Sequence, residues 1–309
     1  MAILFRSTTA ATARWRPLLA QLMPGHEIRF WPELGDPSAI EYALVWQPEP
    51  GVLGRLPNLK LIVGLGAGVD HLLRDPELPR HVPVMRLVDP YMTDAMSEFV
   101  VLQVLRLHRQ DLDYLARQRA REWRELEQKN AAERPVGILG FGTLGQDAGR
   151  KLKSLGFPVA GWSRSAKAVA GFATHAGAAG LDALVAGSEI LVCLLPLTAA
   201  TEGILNKALF ARLPHGAGLV NAGRGGHLVE ADLIPALDAG QLSGAVLDVV
   251  REEPLPSEHP FWCHPRIIVT PHIAAETHPP TAAMIIGEAI RRFEAGQPVA
   301  NLVDWARGY

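Results

Sequence analysis

Short apolar runs, separated by polar stretches rich in glycine and proline, recur from the first residues of this chain. Those at 3–5, 27–31, 43–46, 59–63 and 82–87 have strand length and are bounded by Gly, Pro or Asp. A stretch around 15–22 between the first two has helical spacing. Strands alternating with helices predict a parallel sheet covered on both faces. A long helix is predicted from about 93 to 121, with Met96, Phe99, Val100, Leu102, Val104 and Leu105 as its apolar positions. Asp94 and Glu98 suit the positive end of its dipole. The charged segment 121–134 carries only Trp123 and Leu126 as large apolar residues and reads as an arm or a linker between lobes.

The alternation then restarts. A strand at 135–140 runs into a glycine loop, a helix follows at 147–155, and further strands are predicted at 158–163, 189–195, 218–221, 244–249 and 266–270. Six parallel strands with crossovers make a doubly wound sheet. A last helix, 281–294, leaves enough chain to pack back on the first lobe. No tandem repeat is present.

Composition narrows the class. At 309 residues the chain accommodates two domains with sizeable cores. A net charge of −2, with 24 Arg and 6 Lys in no basic run, argues against a nucleic-acid footprint. Cys193 and Cys263 are too few for a disulfide framework or a zinc site, and Cys193, in the apolar run 190–195, is expected in the core. No apolar stretch approaches the roughly 18 residues that span a bilayer. Residues 1–26 hold Arg6, Arg14 and Arg16, several hydroxyls and no acid, which superficially suits a transit peptide. The run at 2–5 and the helix after it continue the alternation, favouring a first strand and a cytoplasmic chain.

Gly140-Phe-Gly-Thr-Leu-Gly145 lies between a predicted strand and a predicted helix, the context that makes Gly-x-Gly-x-x-Gly informative. Gly140 allows the tight turn, Gly142 lets backbone approach a pyrophosphate, and Gly145 lets helix and strand pack closely. The phosphates would face the helix N-terminus. An NAD site places an acid about 20 residues on, for the ribose 2′-hydroxyl. This chain has none between Asp147 and Asp182, and reads Trp162-Ser-Arg-Ser165 with Lys167 beyond. A guanidinium between two hydroxyls, Ser163, Arg164 and Ser165, suits a 2′-phosphate and predicts NADP(H) in preference to NAD(H).

Asn221-Ala-Gly-Arg-Gly225 puts Arg224 at the carboxyl edge of the sheet, where ligands bind in such folds. Arg there can hold a planar carboxylate by two parallel hydrogen bonds. His272, after the last strand, can give a proton to a ketone oxygen, and Glu253 can orient its imidazole and stabilise the protonated form. His71, His81, His108, His175, His215 and His278 read as structural.

These motifs, with Gly64-Leu-Gly-Ala-Gly-Val-Asp70, Leu195-Pro-Leu-Thr198, Leu247-Asp-Val249, Glu253-Pro-Leu-Pro256 and Thr270-Pro-His-Ile-Ala274, resemble the D-isomer-specific 2-hydroxyacid dehydrogenases over nearly the whole chain. The glyoxylate/hydroxypyruvate reductase branch is the most similar. The resemblance implies Arg224, Glu253 and His272 as the catalytic trio. It implies cofactor contacts at Gly140, Gly142, Thr143, Leu144, Gly145, Ser163, Arg164, Ser165, Leu195, Pro196, Ala222 and Asp248. Substrate contacts would fall on the backbone of Ala67, Gly68 and Val69, on Trp46, and on Arg224 and His272. Val250 departs from the Phe common among relatives, which affects packing near Glu253. The implied layout is an NADP-binding Rossmann domain, 98–272, inserted in a flavodoxin-like substrate domain, 1–97 and 273–309, with the active site between them. It also implies a homodimer joined through the helix near 94–121 and the arm; the charge balance, the lack of a long apolar run and the two cysteines leave no nucleic-acid or membrane partner and no metal expected. The alternatives are a dehydrogenase for another D-2-hydroxy acid, such as 3-phosphoglycerate or a branched acid, and a non-enzymatic NAD(H)-sensing corepressor. The 163–165 segment speaks against the latter.

Overall fold

The first apolar run becomes a strand with neighbours on both sides. Ala2–Arg6 (β1) pairs in parallel with Glu27–Phe30 (β2) and with Ile40–Val45 (β3). Leu61–Gly64 (β4) and Val84–Arg86 (β5) complete a sheet of order β2-β1-β3-β4-β5, the flavodoxin-like arrangement. Ala2, Ile3, Leu4 and Phe5 are all buried, as the interior strand of a parallel sheet requires. The computed structural model describes residues 1–7 and 12–306. It divides into two compact units, Met1–Met92 with Glu276–Tyr309, and Thr93–Ala275.

The second unit holds Val136–Leu139 (β6), Val159–Ser163 (β7), Ala173–Ala176 (β8), Ile190–Cys193 (β9), Ala217–Asn221 (β10), Leu242–Leu247 (β11) and Ile267–Val269 (β12). All are parallel, in the order β12-β11-β10-β9-β6-β7-β8. This is the doubly wound sheet expected, with seven strands where the apolar runs predict six. The extra strand, β8, is an edge strand of sequence Ala-Thr-His-Ala that is partly exposed, so it lacks the apolar run that marks the others. Successive residues of the central strands feed opposite faces. Leu139, Leu191, Cys193, Leu219 and Leu247 join one apolar cluster, and Ile138, Val192, Val220 and Val246 join another. Burial on both faces explains why these strands read as unbroken apolar runs. Cys193 is fully buried, and burial pushes its thiol up to about 12, an inert core position.

The long helix predicted over 93–121 is two helices, Pro90–His108 and Asp111–Ala120. Gln110 breaks it with a left-handed φ of 58°, and Asp111 and Asp113 suit the new N-terminus that follows. Met96, Phe99, Val100, Val104 and Leu107 recur at helical spacing and pack on the sheet, whereas Leu102 faces solvent at 51% exposure. The arm after it runs within the second unit, so it does not link the two units. It is pinned along the preceding helices: Leu126 N–H donates to the Tyr114 hydroxyl, and the Gln128 amide donates to the His108 carbonyl. The final helix, Pro279–Glu294, buries Ala282, Ala283, Ile286 and Ile290 within the first unit. Among the described residues no helix is long and apolar enough to cross a membrane, and no cluster of three or more His, Cys, Asp or Glu could hold a metal.

Candidate active site

The strand order reverses between β9 and β6, and the loops after β6, β9, β10, β11 and β12 gather at the carboxyl ends of the strands. After β6, Gly140 turns with φ of 95°, and a Cβ there would lie 2.6 Å from the Leu194 carbonyl oxygen. A Cβ on Gly145 would lie 2.3 Å from the Gly140 oxygen, so the helix Thr143–Ser154 can start this close to the strand only on glycine. Gly142 differs: a Cβ there would meet nothing within 4 Å. Its open face lies at the N-cap of that helix, where no side chain caps the backbone and no acid occupies the first turn. A bare, uncapped N-terminus of a twelve-residue helix fits a dinucleotide pyrophosphate. Phe141 anchors the turn from below. It is fully buried on Gly161 of β7, where a Cβ would fall 2.1 Å from the ring.

Strand β7 ends at Ser163, which is half-buried, and Arg164, Ser165 and Lys167 follow it, all exposed. The positive and hydroxyl groups therefore emerge at the strand end next to the glycine turn. Leu195 and Ala222 are buried in the loops after β9 and β10. Leu194 N–H donates to the Leu139 carbonyl and Ala222 N–H to the Cys193 carbonyl, which holds these loops in register with the sheet.

Arg224, Glu253 and His272 all lie in the second unit, in loops after the adjacent strands β10, β11 and β12. His272 Nδ1 is 2.8 Å from Glu253 Oε2, with the two side chains 30% and 32% exposed. Glu253 Oε1 accepts a hydrogen bond from Val250 N–H at 3.2 Å. Burial pushes the Glu253 carboxyl up. The His272 imidazole, the Val250 N–H and the nearby Arg224 charge outweigh it and hold the carboxyl below its ordinary range. The Arg224 turn packs tightly on this segment, since a Cβ on Gly225 would fall 1.9 Å from the Val250 carbonyl. Val250, the position that departs from the family pattern, thus supports both the Glu253 and the Arg224 loops through its backbone.

Asp248, expected among the cofactor contacts, is buried with its carboxylate turned to the His272 loop. It accepts from the Thr270 hydroxyl at 2.6 Å and from the Ile273 and Ala274 N–H groups at 2.9 Å. His272 N–H donates to the Asp248 carbonyl at 2.8 Å, and His272 itself adopts φ of 55°. A left-handed backbone is costly for a non-glycine residue and persists only where the surroundings impose it. Asp248 imposes it. One residue that the sequence did not single out also belongs here: His227, fully buried three positions after Arg224.

In the first unit, the segment 65–69 follows β4. A Cβ on Gly66 would lie 2.5 Å from the Trp46 ring, and that ring lies 4.6 Å from the His71 ring. Trp46 is half-buried, laid over the glycine loop that holds Ala67, Gly68 and Val69.

Removing the Glu253 charge has a signed consequence. Its carboxyl lies below the ordinary range, so it stays ionised through neutral and mildly acidic pH and keeps a negative charge against the His272 ring. Glu253→Gln is expected to move the alkaline limb of the pH dependence of turnover toward acid, with a milder loss of rate than any change at His272. A limb that stays in place would show that Glu253 does not act through His272.

A doubly wound sheet whose first turn is bare over a helix N-terminus is the form of a dinucleotide-binding protein. Residues 101–274 match the model of the D-isomer specific 2-hydroxyacid dehydrogenase NAD binding domain. The chain belongs to that family. It is 43% identical, over the full length of both chains, to glyoxylate/hydroxypyruvate reductase A of Yersinia enterocolitica. Among solved structures, a D-isomer specific 2-hydroxyacid dehydrogenase from Xanthobacter autotrophicus Py2, in complex with NADPH and MES, superposes with a TM-score of 0.94. The two are 44% identical over 100% of this chain and 99% of that one. An NADPH-dependent glyoxylate/hydroxypyruvate reductase from Sinorhizobium meliloti, in complex with NADP and sulfate, gives 0.93 at 43% identity with the same coverage.

Proposed function

We propose that this chain is an NADPH-dependent reductase of small 2-keto acids, converting glyoxylate to glycolate and hydroxypyruvate to D-glycerate. The observation that carries the reading is the His272–Glu253 pair at 2.8 Å, one strand away from Arg224 at the carboxyl edge of a dinucleotide-type sheet. The relatives named above, identical at 43–44%, are named for that reaction or hold the same cofactor.

The cofactor supplies a hydride to the carbonyl carbon. Gly140, Gly142, Thr143, Leu144 and Gly145 receive the pyrophosphate on backbone N–H groups, with Leu195, Pro196 and Ala222 walling the adjoining loops. Ser163, Arg164 and Ser165 take the 2′-phosphate. Arg224 holds the keto-acid and polarises its oxygens. His272 Nδ1 faces Glu253, so Nε2 is the nitrogen that gives a proton to the carbonyl oxygen as the alcohol forms. Within the first unit, the backbone N–H groups of Ala67, Gly68 and Val69 are assigned to the substrate carboxylate. Asp248 holds His272 in its left-handed turn.

Trp46 limits substrate size, because its ring covers the loop that carries those N–H groups. Trp46→Ala is expected to raise kcat/KM for longer keto acids relative to glyoxylate, measured as a ratio within each variant. An unchanged ratio would remove Trp46 from the pocket. The exposed Leu102, Tyr114, Leu115 and Trp123 on the helices and arm supply an apolar surface for a homodimer. Sedimentation of the intact chain as a monomer at assay concentrations would contradict that assembly. The functional reading itself is tested by NADPH consumption on adding glyoxylate, which a protein that only senses nicotinamide cofactors would not sustain.

A further inference from the structure

Arg224 has to present its guanidinium from a turn that contains three glycines, Gly223, Gly225 and Gly226, a segment with little stiffness of its own. Its backbone is clamped from both sides. The Asn221 amide donates to the Arg224 carbonyl at 3.1 Å. On the other side, the Arg224 N–H donates to His227 Nδ1 at 3.0 Å. The His227 ring is fully buried, and its Nε2 lies 3.3 Å from the Pro196 carbonyl oxygen. The ring also fills the space beside Gly223, where a Cβ would come within 3.0 Å of its Cε1 and Nδ1. The His227 carbonyl accepts from Leu205 N–H at 2.8 Å, which fixes its own backbone.

Those partners define the imidazole's state. A backbone N–H can only donate, so Nδ1 accepts and carries no proton. The Pro196 carbonyl can only accept, so Nε2 carries the proton and donates. This neutral tautomer is a rigid strut between the loop after β9, at Pro196, and the loop after β10, at Arg224. We propose that His227 is a positioning residue for Arg224: it touches neither substrate nor cofactor, and it fixes where the guanidinium stands relative to the Pro196 loop. The proposal rests on the reading of Arg224 as the group that binds the keto acid. Misplacement of such a group by a fraction of an ångström weakens substrate engagement even when the fold is intact.

The two ring nitrogens can be replaced one at a time. His227→Asn keeps an acceptor near the Nδ1 position and loses the bond to Pro196. His227→Gln reaches toward the Nε2 position and leaves the Arg224 N–H without its acceptor. His227→Leu keeps the volume and removes both. With each variant shown folded by circular dichroism and thermal melting, KM and kcat for glyoxylate and Kd for NADPH are measured in parallel. His227→Leu and His227→Gln are expected to raise the glyoxylate KM by about tenfold or more, because a displaced guanidinium engages the substrate carboxylate less well. His227→Asn should keep KM within about threefold of wild type, and NADPH Kd should change little in any of the three. Equal KM in all three variants, or a better KM in Leu than in Asn, would overturn the proposal, since a purely space-filling ring predicts that order. A second readout is independent of turnover: deuterium uptake at the Arg224 amide, followed in peptides spanning 222–228, should rise in Gln and Leu and stay low in Asn. A wild-type protein that reduces no 2-keto acid would defeat the functional reading, and the uptake pattern would still decide whether His227 clamps Arg224.

Discussion

His272→Gln is expected to lower kcat for keto-acid reduction by roughly two to four decades, the range that removal of a general acid produces. The glutamine amide fills much of the imidazole's volume and can still meet Glu253, so the loop geometry should persist. What is lost is the proton at Nε2. The NADPH Kd should stay near its wild-type value, because all the contacts expected with the cofactor except Asp248 arise from the loops after β6, β7, β9 and β10, and Asp248 is left unchanged. The left-handed backbone at His272 does not depend on its side chain, since the Asp248 carbonyl and carboxylate hold the loop through Thr270, Ile273, Ala274 and the His272 N–H. Steady-state kinetics and a cofactor titration on the same preparation check both halves. Turnover within a few-fold of wild type would remove His272 from the proton-transfer step.

Replacing the charge at the end of β7 is expected to invert cofactor preference. A charge-assisted hydrogen bond contributes roughly 1.5–3 kcal/mol. Arg164→Ala should therefore weaken NADPH binding by about one to two decades while NADH, with no 2′-phosphate, is nearly unaffected. Ser163→Asp goes further. It places an acid at the end of the strand beside the glycine turn, where it repels a 2′-phosphate and offers a partner to the free 2′-hydroxyl of NADH. Ser163 is the last residue of β7 and half-buried, so the substitution leaves the core strand pairing alone. The ratio of kcat/KM for the two cofactors in wild type and both variants is the measurement. An unchanged ratio in Arg164→Ala would place the 2′-phosphate elsewhere.

Features carried by local pattern were legible in the sequence. The strands β6, β9, β10 and β11 are buried on both faces, so each announces itself as an apolar run, and the glycine turn is fixed by backbone crowding at Gly140 and Gly145. Arg224, Glu253 and His272 each follow a strand that pattern alone locates. Features decided by tertiary contacts were not legible. The edge strand β8 is held by pairing with β7 and has no apolar run to betray it. The break at Gln110 sits in a stretch whose helical spacing continues on both sides, and the Gln110 amide is tied to the Glu127 carbonyl of the arm. His227 gains its role from a carbonyl 31 positions earlier in the chain, at Pro196. Only its position three residues after Arg224, on the same tight turn, could have flagged it. Asp248 is known from the sequence only as a cofactor contact that the family resemblance implies; that its two oxygens also hold the loop of the proposed proton donor comes from tertiary contacts no local pattern announces.

NADPH-dependent reduction of small 2-keto acids is checked by kcat/KM for glyoxylate, hydroxypyruvate, pyruvate and phenylpyruvate, each with NADPH and with NADH, on wild-type protein. Glyoxylate and hydroxypyruvate should lead the series, phenylpyruvate should trail it, and NADPH should exceed NADH by about a decade or more for the best acid. A preference for NADH, or for phenylpyruvate over hydroxypyruvate, would contradict the account.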